Sequence, residues 1–160
     1  MDIKFYAVGG TIDKVYFDRM SEYQVGESML VDILRQANVT LDYECDSLIH
    51  KDSLDMTDAD RHMLFETIES DRNRRIVVTH GTDTMIETAK KLQGIENKTV
   101  VLTGAMQPAK FKSSDAEFNL GFAVAAVQTL PSGVYIAMNG RIFDPDKVCK
   151  RREHNRFEDA

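Results

Sequence analysis

The chain has 160 residues, 42% of them hydrophobic and 29% charged, and a formal net charge of -6 at pH 7. That length suits one domain with its own core, and the acidic balance argues against non-specific binding to nucleic acid. No run approaches the ~18 apolar residues that a membrane-spanning helix needs. Cys45 and Cys149 are isolated, with no CxxC or metal-like spacing, so reduced thiols in the cytoplasm are expected rather than a disulfide.

The apolar residues 3–8 predict a first strand, entered without the apolar core and cleavage site of a signal peptide. It ends in Gly9-Gly10-Thr11-Ile12-Asp13, where two glycines let the backbone bend and come close to a ligand. Residues 14–26 have no clean period and predict a long mobile loop. Ser28 can cap a helix that buries Met29, Leu30, Ile33, Leu34 and Ala37 and stops at Asn38. Residues 41–46 alternate apolar and acidic, as in a half-exposed strand near a sheet edge, and strand character ends near His50. The acidic row at 42, 44 and 46 reads as a solvated face. After the loop at 51–56, Thr57 and Asp60 resemble a capping box for a helix that sends Ala59, Met63, Leu64 and Ile68 to the core.

Residues 76–79, rich in β-branched side chains, predict a buried strand that turns at Gly81. Thr82, Asp83 and Thr84 can cap the next helix, patterned by Met85, Ile86, Ala89 and Leu92 and ending near Gly94. Residues 99–102 predict another buried strand, ending in a glycine turn at 103–108. A helix is expected over about 115–129 with Phe118, Phe122, Ala125, Ala126 and Leu130 inward, and a last strong strand over 134–138. Asn139-Gly140 and Asp144-Pro145-Asp146 are turns. Residues 147–152 predict a short returning strand, and Lys147, Lys150, Arg151, Arg152 and Arg156 read as a solvated tail. The βαβα alternation gives a doubly wound, mostly parallel sheet with helices on both faces, Rossmann- or flavodoxin-like in three layers and ending in a β-hairpin.

In such a fold ligands bind beyond the carboxyl ends of the strands. Three predicted strand ends carry hydroxyls beside glycines: Thr11, Thr82 and Thr103. Phosphate-loop, dinucleotide-loop, zinc-protease and GxSxG patterns are not found. A threonine hydroxyl is a poor nucleophile unless a base or a cation draws its proton away. Tyr, Lys and Asp lie near in the chain, which leaves a hydroxyl-nucleophile hydrolase as the reading of the residues alone.

Gly9-Gly10-Thr11-Ile12 after a first strand, with His80-Gly81-Thr82-Asp83-Thr84 after a middle one, resembles the bacterial-type L-asparaginase family. In the same order, Ser21–Gly26 is similar to the family's lid with its tyrosine, and Asp52–Met56 to the loop that grips the substrate carboxylate. Gly104–Pro108, Phe118-Asn119-Leu120 and the stretch from Met138 to Lys150 also match. The resemblance covers essentially the whole chain. It implies a single α/β domain over 1–160, with the family's usual C-terminal domain absent. It also implies hydrolysis of the side-chain amide of asparagine, and often of glutamine, without a cofactor or metal, by a homo-oligomer (dimer or tetramer).

By that resemblance Thr11 attacks the amide carbon, and Tyr23 helps to position or deprotonate it. Thr82 and Asp83 form a second set with Lys150. Ser53 and Asp83 bind the substrate's α-groups, Ala105 meets the amide through its backbone, and Gly10 and Gly81 supply backbone donors. Leu54 departs from the pattern, since the family usually has a polar residue there. The alternatives are an amino-acid-binding or sensor module with little turnover, and a hydrolase of another ω-amide whose pocket Leu54 lines.

Overall fold

Apolar segments separated by helices line up as one sheet in the computed structural model, which describes residues 3–17 and 21–160. In chain order the elements are β1 (Ile3–Gly9), β2 (Lys14–Phe17), β3 (Glu22–Val25), α1 (Leu30–Gln36), β4 (Tyr43–Lys51), α2 (Asp58–Ser70) and β5 (Arg75–Thr79). There follow α3 (Met85–Leu92), β6 (Thr99–Thr103), α4 (Ala116–Thr129), β7 (Gly133–Met138), β8 (Arg141–Phe143), β9 (Val148–Arg151) and β10 (Arg156–Asp159).

The main sheet has the order β4-β1-β5-β6-β7-β8. Its first five strands are parallel, and β8 pairs antiparallel with β7. Asn139 and Gly140 make that reversal with φ of 54° and 72°, the left-handed pair that a two-residue hairpin needs. Chain order runs outward from β1 in both directions, so the switch point lies between β1 and β5. In open α/β sheets a crevice forms there, and these are the strands that deliver Thr11 and Thr82.

Strand residues alternate between two cores. Tyr6, Val8, Ile76, Val78, Val100, Leu102 and Ile136 pack against α2 and α3 through Leu64, Ile68, Met85, Ala89 and Leu92. Ile3, Phe5, Val77, Val101 and Ala137 pack against α1 and α4 through Leu30, Ile33, Leu34, Leu120, Ala123 and Val127. The Thr57–Asp60 capping box is present in both directions, worth about 1 kcal/mol to α2. Asn38 closes the end of α1 at φ 52°.

Several expectations change. In place of the long mobile loop expected over 14–26, Lys14–Phe17 (β2) and Glu22–Val25 (β3) pair as antiparallel strands; residues 18–20 of that expectation lie outside the described residues. On α2, Ala59 and Met63 face solvent, and the buried row is Arg61, Leu64 and Ile68. On α4, Phe118 is 63% exposed and Ala125 is exposed, while Ala116, Asn119, Leu120, Ala123, Ala126 and Val127 are buried. That helix is apolar nearly all round. Its small residues fit flat against the sheet, and Phe118 stacks outside on Phe122 at 6.4 Å. The basic tail is a hairpin: β9 pairs antiparallel with β10, and Phe157 plugs into the core beside Phe143.

Candidate active site

Four strand-end turns interlock through three glycines. Gly10 has φ 92°, and a Cβ there would run into the backbone of Gly81. A Cβ on Gly81 would lie 2.5 Å from that of Ser53, and one on Gly104 would strike the His80 carbonyl. Side chains at these positions would force the turns apart, so glycine lets the loops after β1, β4, β5 and β6 meet. Gly10 N–H donates to the Lys51 carbonyl at 3.0 Å, and His80 N–H to the Thr103 carbonyl at 2.8 Å.

On the β5 side the geometry is tight. Thr82 is 5% exposed. Lys150 Nζ donates to Thr82 Oγ1 at 2.7 Å and to Asp83 Oδ1 at 2.8 Å. Arg152 approaches the same Asp83 oxygen at 3.4 Å. Lys150 reaches this point because β9 is held from two sides. Its register partner Phe157 is buried and donates its N–H to Asn139 Oδ1 at 2.8 Å. Val148, two residues before Lys150, faces the core. Lys150 occupies a lone pair of Thr82 Oγ1, which leaves the hydroxyl proton free to point at a ligand.

On the β1 side the geometry is looser. Thr11 is half-buried and opens a short 3-10 turn. Tyr23 is 50% exposed on β3; its ring packs on Tyr16 at 5.4 Å and on Phe111 at 5.9 Å. Among the described residues it has no hydrogen bond to Thr11. Asp13, 2% exposed, accepts the Met29 N–H at 2.8 Å, and its carbonyl accepts the Gly26 N–H at 2.8 Å. Asp13 thereby joins the turn to the start of α1. Burial pushes its carboxyl up to about 6, against the downward pull of the Met29 N–H and of His50.

The loop after β4 closes the third side. Ser53 is 2% exposed against Gly81, and its carbonyl accepts Thr84 Oγ1 at 2.8 Å. Asp52 pairs with Lys14 at 2.7 Å and accepts the Leu54 N–H at 3.1 Å. Burial raises the Asp52 carboxyl, but Lys14 and that N–H outweigh it and hold it below its ordinary value. Leu54 projects outward, 63% exposed.

Of the expected site residues, Thr82, Asp83 and Lys150 come together through side chains. Gly10, Gly81 and Ser53 meet through backbone packing. Ala105 is 1% exposed, backbone included, with its side chain in the core. Thr103 does not join the site: it is fully buried, and its hydroxyl donates to the Ala137 carbonyl at 2.8 Å. Sequence reasoning passed over Arg152, left among the tail cations, and Lys14, which ties the hairpin to the loop at 52–55. It also passed over Arg61 and Thr88, whose signal was a polar residue in a buried helical row: Arg61 with Leu64 and Ile68, Thr88 with Met85 and Leu92.

Residues 2–157 match the family described as Asparaginase, N-terminal. The chain is 33% identical to L-asparaginase 2 of Escherichia coli over 160 residues, 93% of this chain and 46% of that protein. It superposes on the thermostable L-asparaginase from Thermococcus kodakarensis with a TM-score of 0.85 at 28% identity, covering 99% of this chain and 51% of that one. On L-asparaginase I from Vibrio cholerae the TM-score is 0.86 at 25% identity, covering 99% and 51%. The chain thus spans about half the length of these relatives.

Proposed function

The chain belongs to the asparaginase family, matching its N-terminal domain, and from that premise we propose that it is an amidohydrolase that converts L-asparagine and water to L-aspartate and ammonia. The observation that carries this reading is the ammonium of Lys150, 2.7 Å from Thr82 Oγ1 and 2.8 Å from Asp83. A cation so placed stabilises negative charge on the hydroxyl it touches and sharpens its acidity, and the carboxylate holds the cation in register.

In this reading Thr11 Oγ1 bonds to the amide carbon while its proton passes, by way of the Tyr23 hydroxyl that the β2–β3 hairpin brings over, toward the amide nitrogen. The carbonyl electrons pass to oxygen, where backbone N–H groups of the glycine turns receive them. Collapse breaks the C–N bond, and the nitrogen leaves as ammonia after taking a proton. Water then hydrolyses the Thr11 ester and regenerates the hydroxyl. Thr82 supplies the polarised O–H beside the reacting atoms, and Asp83 and Ser53 meet the substrate's α-groups. No step requires a metal or cofactor. We further propose a homo-oligomer, dimer or tetramer, in the cytoplasm; the unpaired Cys45 and Cys149 suit a reducing compartment.

A second reading, hydrolysis of another ω-amide, draws on Leu54. Leu54 and Tyr23 line one depression of about 530 Å³ together with Lys14 and Asp52, whose charges already pair with each other. The rest of the lining is mixed, with His50, Lys51 and Asp55 beside Val25, so Leu54 and Tyr23 add apolar surface to a polar depression. The test is ammonia release from L-asparagine, L-glutamine and ω-amides bearing apolar groups, with Leu54→Gln beside the wild type. The first reading expects asparagine turnover, with KM lowered by about two- to tenfold in the variant as one hydrogen bond is gained. Turnover confined to apolar amides favours the second. Aspartate binding with no turnover of any amide leaves an amino-acid sensor.

A further inference from the structure

Behind the Thr82 turn runs a buried chain of hydrogen bonds that the reaction above does not use. Arg61 Nε–H donates to Thr88 Oγ1 at 3.1 Å. Thr88 Oγ1 lies 2.8 Å from His80 Nε2, and His80 Nδ1 lies 2.7 Å from the Gly81 carbonyl. A carbonyl has no proton, so Nδ1 carries one, and a neutral ring then takes the Thr88 hydroxyl proton at Nε2. Every link points one way, from the guanidinium to the Gly81 peptide. Arg61 is 6% exposed, and Thr88 and His80 are fully buried. Burial first, then the Arg61 charge, push the imidazole down to about 4 despite the Gly81 carbonyl, so the ring is neutral at pH 7, a weak base whose Nε2 is already engaged by Thr88. Arg61 also donates to the Met56 carbonyl at 3.3 Å, at the end of the loop that carries Ser53.

We infer that Arg61, Thr88 and His80 are positioning residues that fix the Gly81–Thr82 peptide, and with it Thr82, relative to the Ser53 loop; for catalysis this rests on the amidohydrolase reading. The physical reason is the planar trans peptide, in which C=O and N–H point opposite ways. Drawing the Gly81 carbonyl toward the buried ring turns the Thr82 N–H away from the core, toward the crevice. His80 thus sets the orientation of a backbone donor without touching substrate.

The test pairs spectroscopy with kinetics. Imidazole ¹⁵N shifts of His80 in the wild type should report a neutral Nδ1–H tautomer at pH 7. Thr88→Val, which keeps shape but removes the hydroxyl, should move the Thr82 amide resonance. It should also lower kcat at least ~10-fold, since small misplacements of reacting groups are costly, while KM changes less than about threefold. Thr88→Ser should stay within about threefold of the wild type. An Nε2–H tautomer, an unmoved Thr82 amide, or wild-type kcat in Thr88→Val overturns the inference. If Thr88→Val does not fold, the wild-type tautomer and Arg61→Lys, which keeps the charge but loses the Nε–H, carry the same decision. A wild type that releases no ammonia from any amide sinks the amidohydrolase reading instead, and the tautomer and the Thr82 amide still decide the positioning chain.

Discussion

The two threonine turns of the crevice are built differently. The Thr82 half is preorganised: its hydroxyl is nearly buried, Lys150 and Asp83 hold it from one side, and the chain from Arg61 braces its backbone from the other. The Thr11 half is more open: the residue is half-buried, and the Tyr23 proposed to assist it stands half-exposed in an aromatic cluster with Tyr16 and Phe111. Preorganised donors cost no reorganisation when charge develops, whereas a nucleophile must let substrate in before anything closes over it. The structure thus separates a fixed Thr82 half from a more accessible Thr11 half, joined at the Gly10–Gly81 contact; in the proposed reaction the first supplies electrostatics and the second the nucleophile.

Removing either hydroxyl breaks this division most severely. Thr11→Val and Thr82→Val should each lower kcat for ammonia release at least ~10²-fold, the usual scale for losing a nucleophile or its activator. Near-wild-type turnover in either variant would show that its threonine has been given the wrong role.

Gly10→Ala attacks the junction. The new methyl meets the Gly81 backbone, and the residue must hold φ 92°, a strain of about 1–3 kcal/mol. We expect a destabilisation of that order in urea titration and a loss of turnover of ~10-fold or more, because the two turns part. An unchanged kcat would mean that their spacing is not critical.

The smallest effect separates the halves by titration. Asp13, folded near 6 and close to 3.9 when unfolded, binds its proton more readily in the native state. Its contribution is therefore full below about pH 4 and is lost as pH rises toward 6. His80, folded near 4 and near 6.5 when unfolded, behaves oppositely: its contribution is full above about pH 6.5 and is lost as pH falls toward 4. The two slopes oppose each other in the wild type. Asp13→Asn should stabilise the protein at pH 7 by about 1–3 kcal/mol, with the gain fading by pH 4 and the rise of stability with pH steepening in between. Urea midpoints from pH 4 to 7 that stay parallel for the two proteins would contradict the buried carboxylate.

Much of the scaffold was legible in the sequence, because β-branched runs ending in glycine turns leave few other arrangements. The placement of Thr11 and Thr82 at strand ends followed from the glycine turns, and the Thr57 cap from local chemistry; that their strands β1 and β5 are neighbours is set by the sheet order. What was not legible depended on tertiary contact. The described side chains of β2 and β3 are all half-buried or exposed, so neither strand shows an amphipathic period. Arg156–Asp159 offers one apolar residue, Phe157, whose burial fixes β10 and through it Lys150. Lys150 and Arg152 look alike in a basic run; only the register of β9 sends Lys150 to Thr82 while Arg152 stays 69% exposed beside Asp83. The Arg61–Thr88–His80 chain joins residues up to 27 positions apart, and no single window contains all of it.

The most direct test of the central claim is steady-state ammonia release from L-asparagine by the wild type, Thr11→Val, Lys150→Met and the double variant. If the fixed and open halves act as one catalytic unit, each single change costs at least ~10²-fold in kcat, and the double change costs little more than the worse single one, as in other interdependent catalytic sets. Losses that multiply in the double variant, or a Lys150→Met enzyme with wild-type kcat, would contradict it.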